Sequence, residues 1–359
     1  MARIFNTVRN RTGLLIMAGN VVNTLQQVTG LSVAALRVKP KHLAAALVEL
    51  TRSPTAVGHA VNELSPWMAQ RTDDSARDVD RSIERMLTNP NAVQRAEQFG
   101  TRYGYLVQQV VQNFIDRVVW MGAYRQAQEA GVVDAQAVRD ADSAVRMTQS
   151  SFAPEDSAKV EHAGAFTRLF LMFYSYFSGQ LNLLATEAQN AKALPTPSAR
   201  AGRLALVYML GFAVPAFLAD VIAKGIRGEL GGDDDDLAEQ LLQSFLVSQL
   251  RYALGMAPVA GQVGNALIGQ VTPERFDDRL GLSPTASSIE ATLRAPFSIA
   301  KAWNDEGNAR TAVRDGLTAV GLLTGLPTGP LIRPLGYLAD ENRGDEITLR
   351  GLVTGKATE

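Results

Sequence analysis

The sequence predicts an all-α protein, an elongated bundle of many helices that ends in an apolar helical region interrupted by glycine and proline. Hydrophobic residues make up 46% of the 359 residues, and the alternation of polar and apolar residues that is typical of strands is hard to find. Apolar residues recur instead at steps of three and four, which places them on one face of a helix. The length is sufficient for about two or three domains.

Composition excludes several classes of protein. The net charge of −1 and the 46% hydrophobic content exclude a disordered chain and a globally basic nucleic-acid binder. The chain has no cysteine, which excludes disulfides, cysteine-ligated zinc and thiol catalysis. A signal peptide is not expected, because Asn20 and Asn23 interrupt the short apolar run after the first arginines.

Residues 1–71 are predicted to form a basic N-terminal helical segment. Eight lysines and arginines stand against Glu49 and Glu63, a net charge of +6. One interpretation is a solvated, salt-bridging surface, and the other is contact with nucleic acid or an anionic membrane. Because few aromatic residues lie among the basic ones, any DNA contact is expected at phosphates. The candidate phosphate-contact residues are Arg3, Arg9, Arg11, Lys39 and Lys41.

Residues 72–192 are predicted to form a helical bundle. A long helix is expected from about residue 92 to residue 130, an amphipathic helix follows Asp134, and an aromatic helix follows Pro154. Arg168 and Glu187 limit the uncharged run of the aromatic helix to 18 residues, several of them polar, so we interpret it as a central packing helix. Its predicted packing signature consists of Phe152, Phe166, Phe170, Phe173, Tyr174 and Phe177.

Residues 203–340 are predicted to form the apolar region, and residues 341–359 a C-terminal tail. A linker is expected at 193–202, which contains two prolines and small polar residues. The run from Leu204 to Ala223 is marginal for a spanning helix, since Asp220 is charged and Pro215 lies in its middle. Membrane contact and a buried soluble core both remain open for this region. The candidate membrane-contact residues are Leu204, Tyr208, Phe212 and Phe217.

Two further patterns are interpreted as structural. Gly321, Gly325 and Gly329 are spaced as in a close-packing motif of helix dimers, but Pro327 and Pro330 interrupt the helix, so a dimer is not expected. The four aspartates at 233–236 lack the alternating spacers of a calcium loop. They are predicted to form a solvated turn that caps the following helix.

The sequence predicts no catalytic residue, no cofactor-binding residue and no metal ligand. The three histidines, His42, His59 and His162, are widely separated and form no known ligand spacing. Glu155, Asp156 and Glu161 could form a glycosidase-like acid pair, as in a peptidoglycan-cleaving lyase, but the positions of Glu155 and Asp156 favour helix capping. A non-enzymatic protein is therefore expected.

Three blocks of sequence carry a resemblance to a known family. They are GNVVNTLQQVTGLSVAALRVKPKHL at 19–43, WMGAYRQAQEAG at 120–131 with the following helix AVRMTQSSFAPEDSAKV, and the aromatic block FTRLFLMFYSYFSGQLNLL. Together they resemble the large polyvalent-protein-associated domain usually numbered thirty-eight, which is found in tailed-bacteriophage internal virion and polyvalent proteins. The resemblance covers roughly residues 15 to 190, and Val28 departs from it where a proline is common.

The resemblance implies a protein packaged in the virion that enters the host with the DNA or forms part of the ejection conduit. It implies no catalytic residue and no cofactor. The expected partners are other virion proteins or a second copy of the chain, with host membrane lipid and phage DNA phosphates as further candidates. The expected location is the virion interior and, after ejection, the host envelope or cytoplasm. The alternative is a DNA-associated polyvalent module that is co-injected to protect phage DNA or counter host defence.

Overall fold

The protein is all-α, as the sequence predicts. The computed structural model describes residues 2–17, 20–71, 92–149, 174–227, 230, 234–255, 284–304, 307–340 and 347–355. Of these residues 87% are helical, and they include no strand.

The described residues up to Leu64 form short helices. They are α1 (Ala2–Met17), α2 (Val21–Gln26), α3 (Gly30–Ala34), α4 (Pro40–Arg52) and α5 (Pro54–Leu64), with a 3₁₀ turn at Gln27–Thr29 between α2 and α3. Helices α4 and α5 begin with a proline in their first turn, where the missing N–H leaves no hydrogen bond unmade. Asn20 caps α2, because its side-chain oxygen accepts a hydrogen bond from the Asn23 N–H.

The two predicted central helices are confirmed. Helix α6 (Ala92–Glu129) and helix α7 (Asp134–Thr148) form an antiparallel pair, and Gly131 takes the left-handed conformation between them (φ 74°). They build the first core cluster with α4 and α5. Its largest fully buried side chains are Trp120, Leu50, Met68, Ile115, Val38, Val61, Val118, Val119 and Val145.

Helix α8 (Tyr174–Lys192) is followed by a continuous helical rod. This rod consists of α9 (Pro197–Tyr208), a π-helical turn (Met209–Ala213) and α10 (Val214–Arg227). The prediction of a linker over residues 193–202 is wrong beyond Thr196. The Thr196 hydroxyl accepts the Ala199 N–H and Pro197 occupies the first turn, so the residues read as a linker contain a helix start.

The remaining helices are α11 (Asp234–Gly255), α12 (Pro284–Trp303), α13 (Ala309–Thr324), α14 (Gly329–Leu338) and α15 (Leu349–Thr354). Helix α11 begins at Asp234, so Asp234, Asp235 and Asp236 lie in its first turn and not in a preceding turn, and Asp233 lies outside the described residues. The predictions at residues 72–91 and 256–283 lie outside the described residues.

The basic N-terminal helices contact three different parts of the protein. Helix α1 packs on α12, α13 and α14, helix α2 packs on α10, and helix α4 packs on α6. The sequence-based domain boundaries remain predictions, but residues 1–71 are integrated into the surrounding helices.

The glycines at 321 and 329 let helix α1 approach the α13–α14 corner closely. A Cβ at Gly329 would overlap the Leu15 carbonyl, and one at Gly321 would lie 2.9 Å from Leu15 Cδ1. Gly325 ends α13 in the left-handed conformation (φ 81°), so the predicted break in the helix is confirmed. The four-residue spacing therefore serves a contact within one chain.

Replacing Gly329 with alanine is expected to lower the free energy of unfolding by about 2–3 kcal/mol, because backbone atoms of α1 must move to admit the methyl group. Urea unfolding followed by circular dichroism measures the change. Gly202→Ala is the matched control, since a Cβ there meets nothing within 4 Å. The control should be stabilised by up to about 1 kcal/mol, because alanine favours a helix over glycine. Equal effects of the two substitutions would contradict the close approach.

Candidate membrane-contact surface

The helical rod from Pro197 to Ile226 is long and apolar enough to cross a membrane. It has 30 residues, whereas a spanning helix needs about 20. Within the described residues no other helix meets the same length and composition criteria. Core helices of soluble proteins also meet them, but only 33% of its most apolar window is buried. The rod, called the apolar helix, therefore keeps two thirds of that window partly or fully accessible.

The π-helical turn explains how a helix continues past Pro215. Proline has no N–H to donate and its ring crowds the preceding turn, which normally kinks or ends a helix. Here the Val214 N–H bonds to the Met209 carbonyl five residues earlier, which widens the turn just before the proline. The sequence reading treated Pro215 as an obstacle to a spanning helix, and the wide turn removes that obstacle.

The apolar helix is exposed mainly along its first turns and buried mainly from Gly211 to Ala216. Its buried residues join α3 and α8 in a second core cluster made of Val33, Leu36, Leu183, Val207 and Phe212. Its exposed residues include large side chains that are 38–49% accessible, namely Leu204, Leu206, Tyr208, Met209 and Leu218.

Of the four predicted membrane-contact residues, two are exposed, one is partly buried and one is buried. Leu204 and Tyr208 are 41% and 49% exposed, in agreement with a role at the surface. Phe212 is only 3% exposed, which corrects its assignment, because the helix turns it toward Leu36 and Leu183. Phe217 is partly buried and meets Phe245 of α11 edge to face, with ring centroids 5.8 Å apart.

Gln249 fixes helix α11 against the π-helical turn. Its amide nitrogen donates to the Ala213 carbonyl (3.1 Å), and its amide oxygen accepts from the Tyr208 hydroxyl (3.1 Å). Sequence reasoning missed this residue, because a single glutamine in a helix carries no local signal of a long-range partner.

Helix α11 has an exposed apolar face of its own. Leu242, Leu246 and Leu250 are 60%, 59% and 51% exposed, and their four-residue spacing places them on one face. Ser244 and Ser248, which are buried, lie on the opposite face. The leucine spacing was readable from the sequence, but its exposure was not.

Asp220, the charged residue that made the predicted membrane span marginal, forms an ion pair within the apolar helix. Asp220 lies 3.8 Å from Lys224, one turn further along, and both side chains are largely buried. An internal ion pair lowers the unfavourable free energy of placing either charge in an apolar environment.

A buried ion cluster anchors the apolar helix to the bundle. Glu187 of α8 is fully buried and lies 2.8 Å from the Arg37 guanidinium, and Arg203 of α9 donates to its other oxygen (Nε to Oε2, 3.0 Å). Arg203 also donates to the Leu36 carbonyl. The cluster Glu187–Arg37–Arg203 therefore joins the consecutive helices α8 and α9 to the distant segment that follows α3.

Several candidate phosphate-contact residues are engaged within the chain. Arg11 donates to the Leu322 and Leu323 carbonyls at the end of α13 (3.3 and 2.5 Å), and Arg9 also has an interaction partner. Lys41 pairs with Glu129. The hydrogen bond from Lys41 and the nearby charges of Lys41, His42 and Lys39 lower the pKa of the Glu129 carboxyl, although desolvation raises it. Lys39 is exposed, and the Arg3 side chain lies outside the described residues.

The side chains of the predicted packing signature lie outside the described residues. Phe152, Phe166, Phe170 and Phe173 lie outside the described residues, as do the side chains of Tyr174 and Phe177, although both of these belong to α8. Glu155 and Glu161 also lie outside them. Their roles remain predictions.

The described residues contain no group of three or more histidine, cysteine or acidic side chains that could hold a metal ion. Comparison with protein-family models, curated proteins and solved structures gives no significant match for this chain. The resemblance drawn from the three sequence blocks therefore remains an interpretation of the sequence.

Proposed function

We propose that the protein is a non-enzymatic structural component of a bacteriophage virion that assembles with other virion proteins and contacts the host membrane during genome delivery. The observation that carries the membrane part is the exposure of large apolar side chains along the apolar helix. A 30-residue helix with only 33% of its most apolar window buried leaves a surface that water solvates poorly. The sequence resemblance to phage internal virion proteins supports the virion part.

The buried ion cluster and the π-helical turn are consistent with an apolar helix that is packed on the bundle in water. In this proposal the apolar helix contacts lipid when its packing on the bundle loosens. Glu187, Arg37 and Arg203 tie the first turns of the apolar helix to the bundle, so its position depends on a few polar contacts as well as on the second core cluster.

DNA association is the weaker alternative. The predicted +6 charge of residues 1–71 is offset by acids from later in the chain, since Arg37 faces Glu187, Lys41 faces Glu129 and Arg71 faces Asp116. A phosphate-binding surface needs cations free to replace counterions, and these three are paired internally.

Adding negative charge at exposed leucines of the apolar helix tests the membrane contact. The double variant Leu204→Glu with Leu206→Glu is expected to reduce co-sedimentation with equimolar phosphatidylcholine–phosphatidylglycerol vesicles at least about tenfold, since a charged side chain in the apolar layer costs about 2–3 kcal/mol. Both leucines are more than 40% exposed, so the fold should persist in circular dichroism.

Val133→Glu is the matched control, because Val133 is 76% exposed and lies between α6 and α7, away from the apolar helix. It should bind vesicles as the unchanged chain does. If the double variant also binds normally, the apolar helix is not the contact surface. Mass-spectrometric detection of the chain in purified phage particles tests the virion assignment, and its absence from such particles would refute that assignment.

A further inference from the structure

Helix α12 packs in the reverse of the usual soluble arrangement. The side chains that it buries are small or polar, namely Thr285, Ser288, Ala291 and Ala295, each under 10% exposed. The neighbouring helix α13 buries Ala312, Asp315 and Thr318, each also under 10% exposed. The Ser298 hydroxyl of α12 donates a hydrogen bond to the Asp315 carboxylate (2.7 Å). Interfaces of small and hydroxyl-bearing residues are typical of helix pairs whose outer faces contact lipid.

The large apolar side chains of α12 face outward. Leu293, Phe297 and Trp303 are 69%, 72% and 87% exposed, and Ile289 and Ile299 are 38% and 48% exposed. In water the hydrophobic effect would favour the opposite distribution, with the large side chains inside. Something other than water is therefore expected to cover this face.

The charges of α12 identify the kind of cover. Glu290 and Arg294 are one turn apart and paired (3.4 Å), and the helical angle places them and Lys301 along one edge of the apolar face. Three charges in 20 residues exclude a spanning helix. An apolar face that includes tryptophan and phenylalanine beside a charged edge is typical of a helix lying in the plane of a membrane interface.

We infer that α12 lies in the headgroup boundary of a lipid bilayer, with Leu293, Phe297 and Trp303 directed toward the acyl chains. The inference rests on the proposed membrane contact and adds a second, in-plane contact to the apolar helix. The α12–α13 pair keeps its small-residue interface in this arrangement, so no rearrangement of the pair is needed.

Trp303 reports on this contact in the full-length chain. The sequence has three tryptophans, and the other two, Trp67 and Trp120, belong to the first core region. Subtracting the emission of Trp303→Phe from that of the unchanged chain isolates Trp303. With equimolar phosphatidylcholine–phosphatidylglycerol vesicles, the isolated emission is expected to shift to shorter wavelength, and brominated acyl chains should quench it. Leu293→Glu with Phe297→Glu should abolish the quenching while leaving the circular dichroism spectrum unchanged.

The outcomes separate this inference from the proposed function. Vesicle pelleting with no quenching of Trp303 overturns the inference and leaves membrane contact by the apolar helix in place. Loss of both pelleting and quenching overturns both. A blue shift of Trp303 that grows with protein concentration in the absence of lipid also overturns the inference, because it assigns the face to a second copy of the chain.

Discussion

Replacing Glu187 with glutamine is expected to lower the free energy of unfolding by about 3 kcal/mol, the lower end of the range for breaking a buried ion pair. Glu187 is fully buried, and its loss leaves the guanidinium groups of Arg37 and Arg203 facing a neutral group. The lower end applies because both arginines keep more than a quarter of their exposure to water. Urea unfolding measures the change.

The same variant should bind vesicles more strongly than the unchanged chain, because the cluster ties the apolar helix to the bundle. Glu290→Gln is the control, since Glu290 is an exposed acid paired with an arginine on its own helix, and it should change stability by no more than about 0.5 kcal/mol. A Glu187 variant as stable as the Glu290 variant would show that the cluster contributes nothing to holding the helices together. Lower stability with unchanged vesicle binding would contradict its role in restraining the apolar helix.

Replacing Trp120 with alanine is expected to lower the free energy of unfolding by about 4 kcal/mol, as for other buried aromatic truncations. Trp120 is fully buried in the first core cluster and stacks on Tyr124, with ring centroids 5.1 Å apart. Its indole N–H donates to Asp142 (2.7 Å), which also accepts from Ser65. The substitution therefore leaves a cavity and removes a donor from a partly buried carboxylate.

Trp303→Ala provides the matched control, since the same residue type is 87% exposed there. Its stability in the absence of lipid should change by no more than about 0.5 kcal/mol. Calorimetric or urea unfolding of the two variants compares them directly. Similar losses of stability would mean that Trp303 is covered in solution, and a small loss for Trp120→Ala would contradict its central place in the core.

Local patterns in the sequence predicted the helices well. The long helix to Glu129, the turn at Gly131 and the amphipathic helix from Asp134 follow from apolar periodicity and glycine punctuation, which depend on neighbours in sequence. The linker prediction failed at Pro197 because proline is typical both of loops and of the first turn of a helix. The Thr196 cap, three residues before Ala199, was the local signal that distinguishes the two.

The candidate surface was predicted only in part. The position of the apolar run and two of its exposed residues, Leu204 and Tyr208, agree with the sequence reading, whereas Phe212 is buried. Which face of a hydrophobic helix is covered depends on where α3 and α8 lie, and that information is not local. The same holds for α12, whose residue pattern suggests a helix but does not show that its large side chains face outward.

The sequence by itself determined that the chain is helical, that it lacks cysteine, and where its apolar and charged stretches lie, because these properties depend on residue type and spacing. Tertiary structure decided how the charges are used. Arg11 caps the end of α13, Arg37 and Arg203 enclose Glu187, and the glycines at 321 and 329 admit helix α1. Each of these contacts joins residues of different helices or segments, and only packing brings such residues within hydrogen-bonding or van der Waals distance.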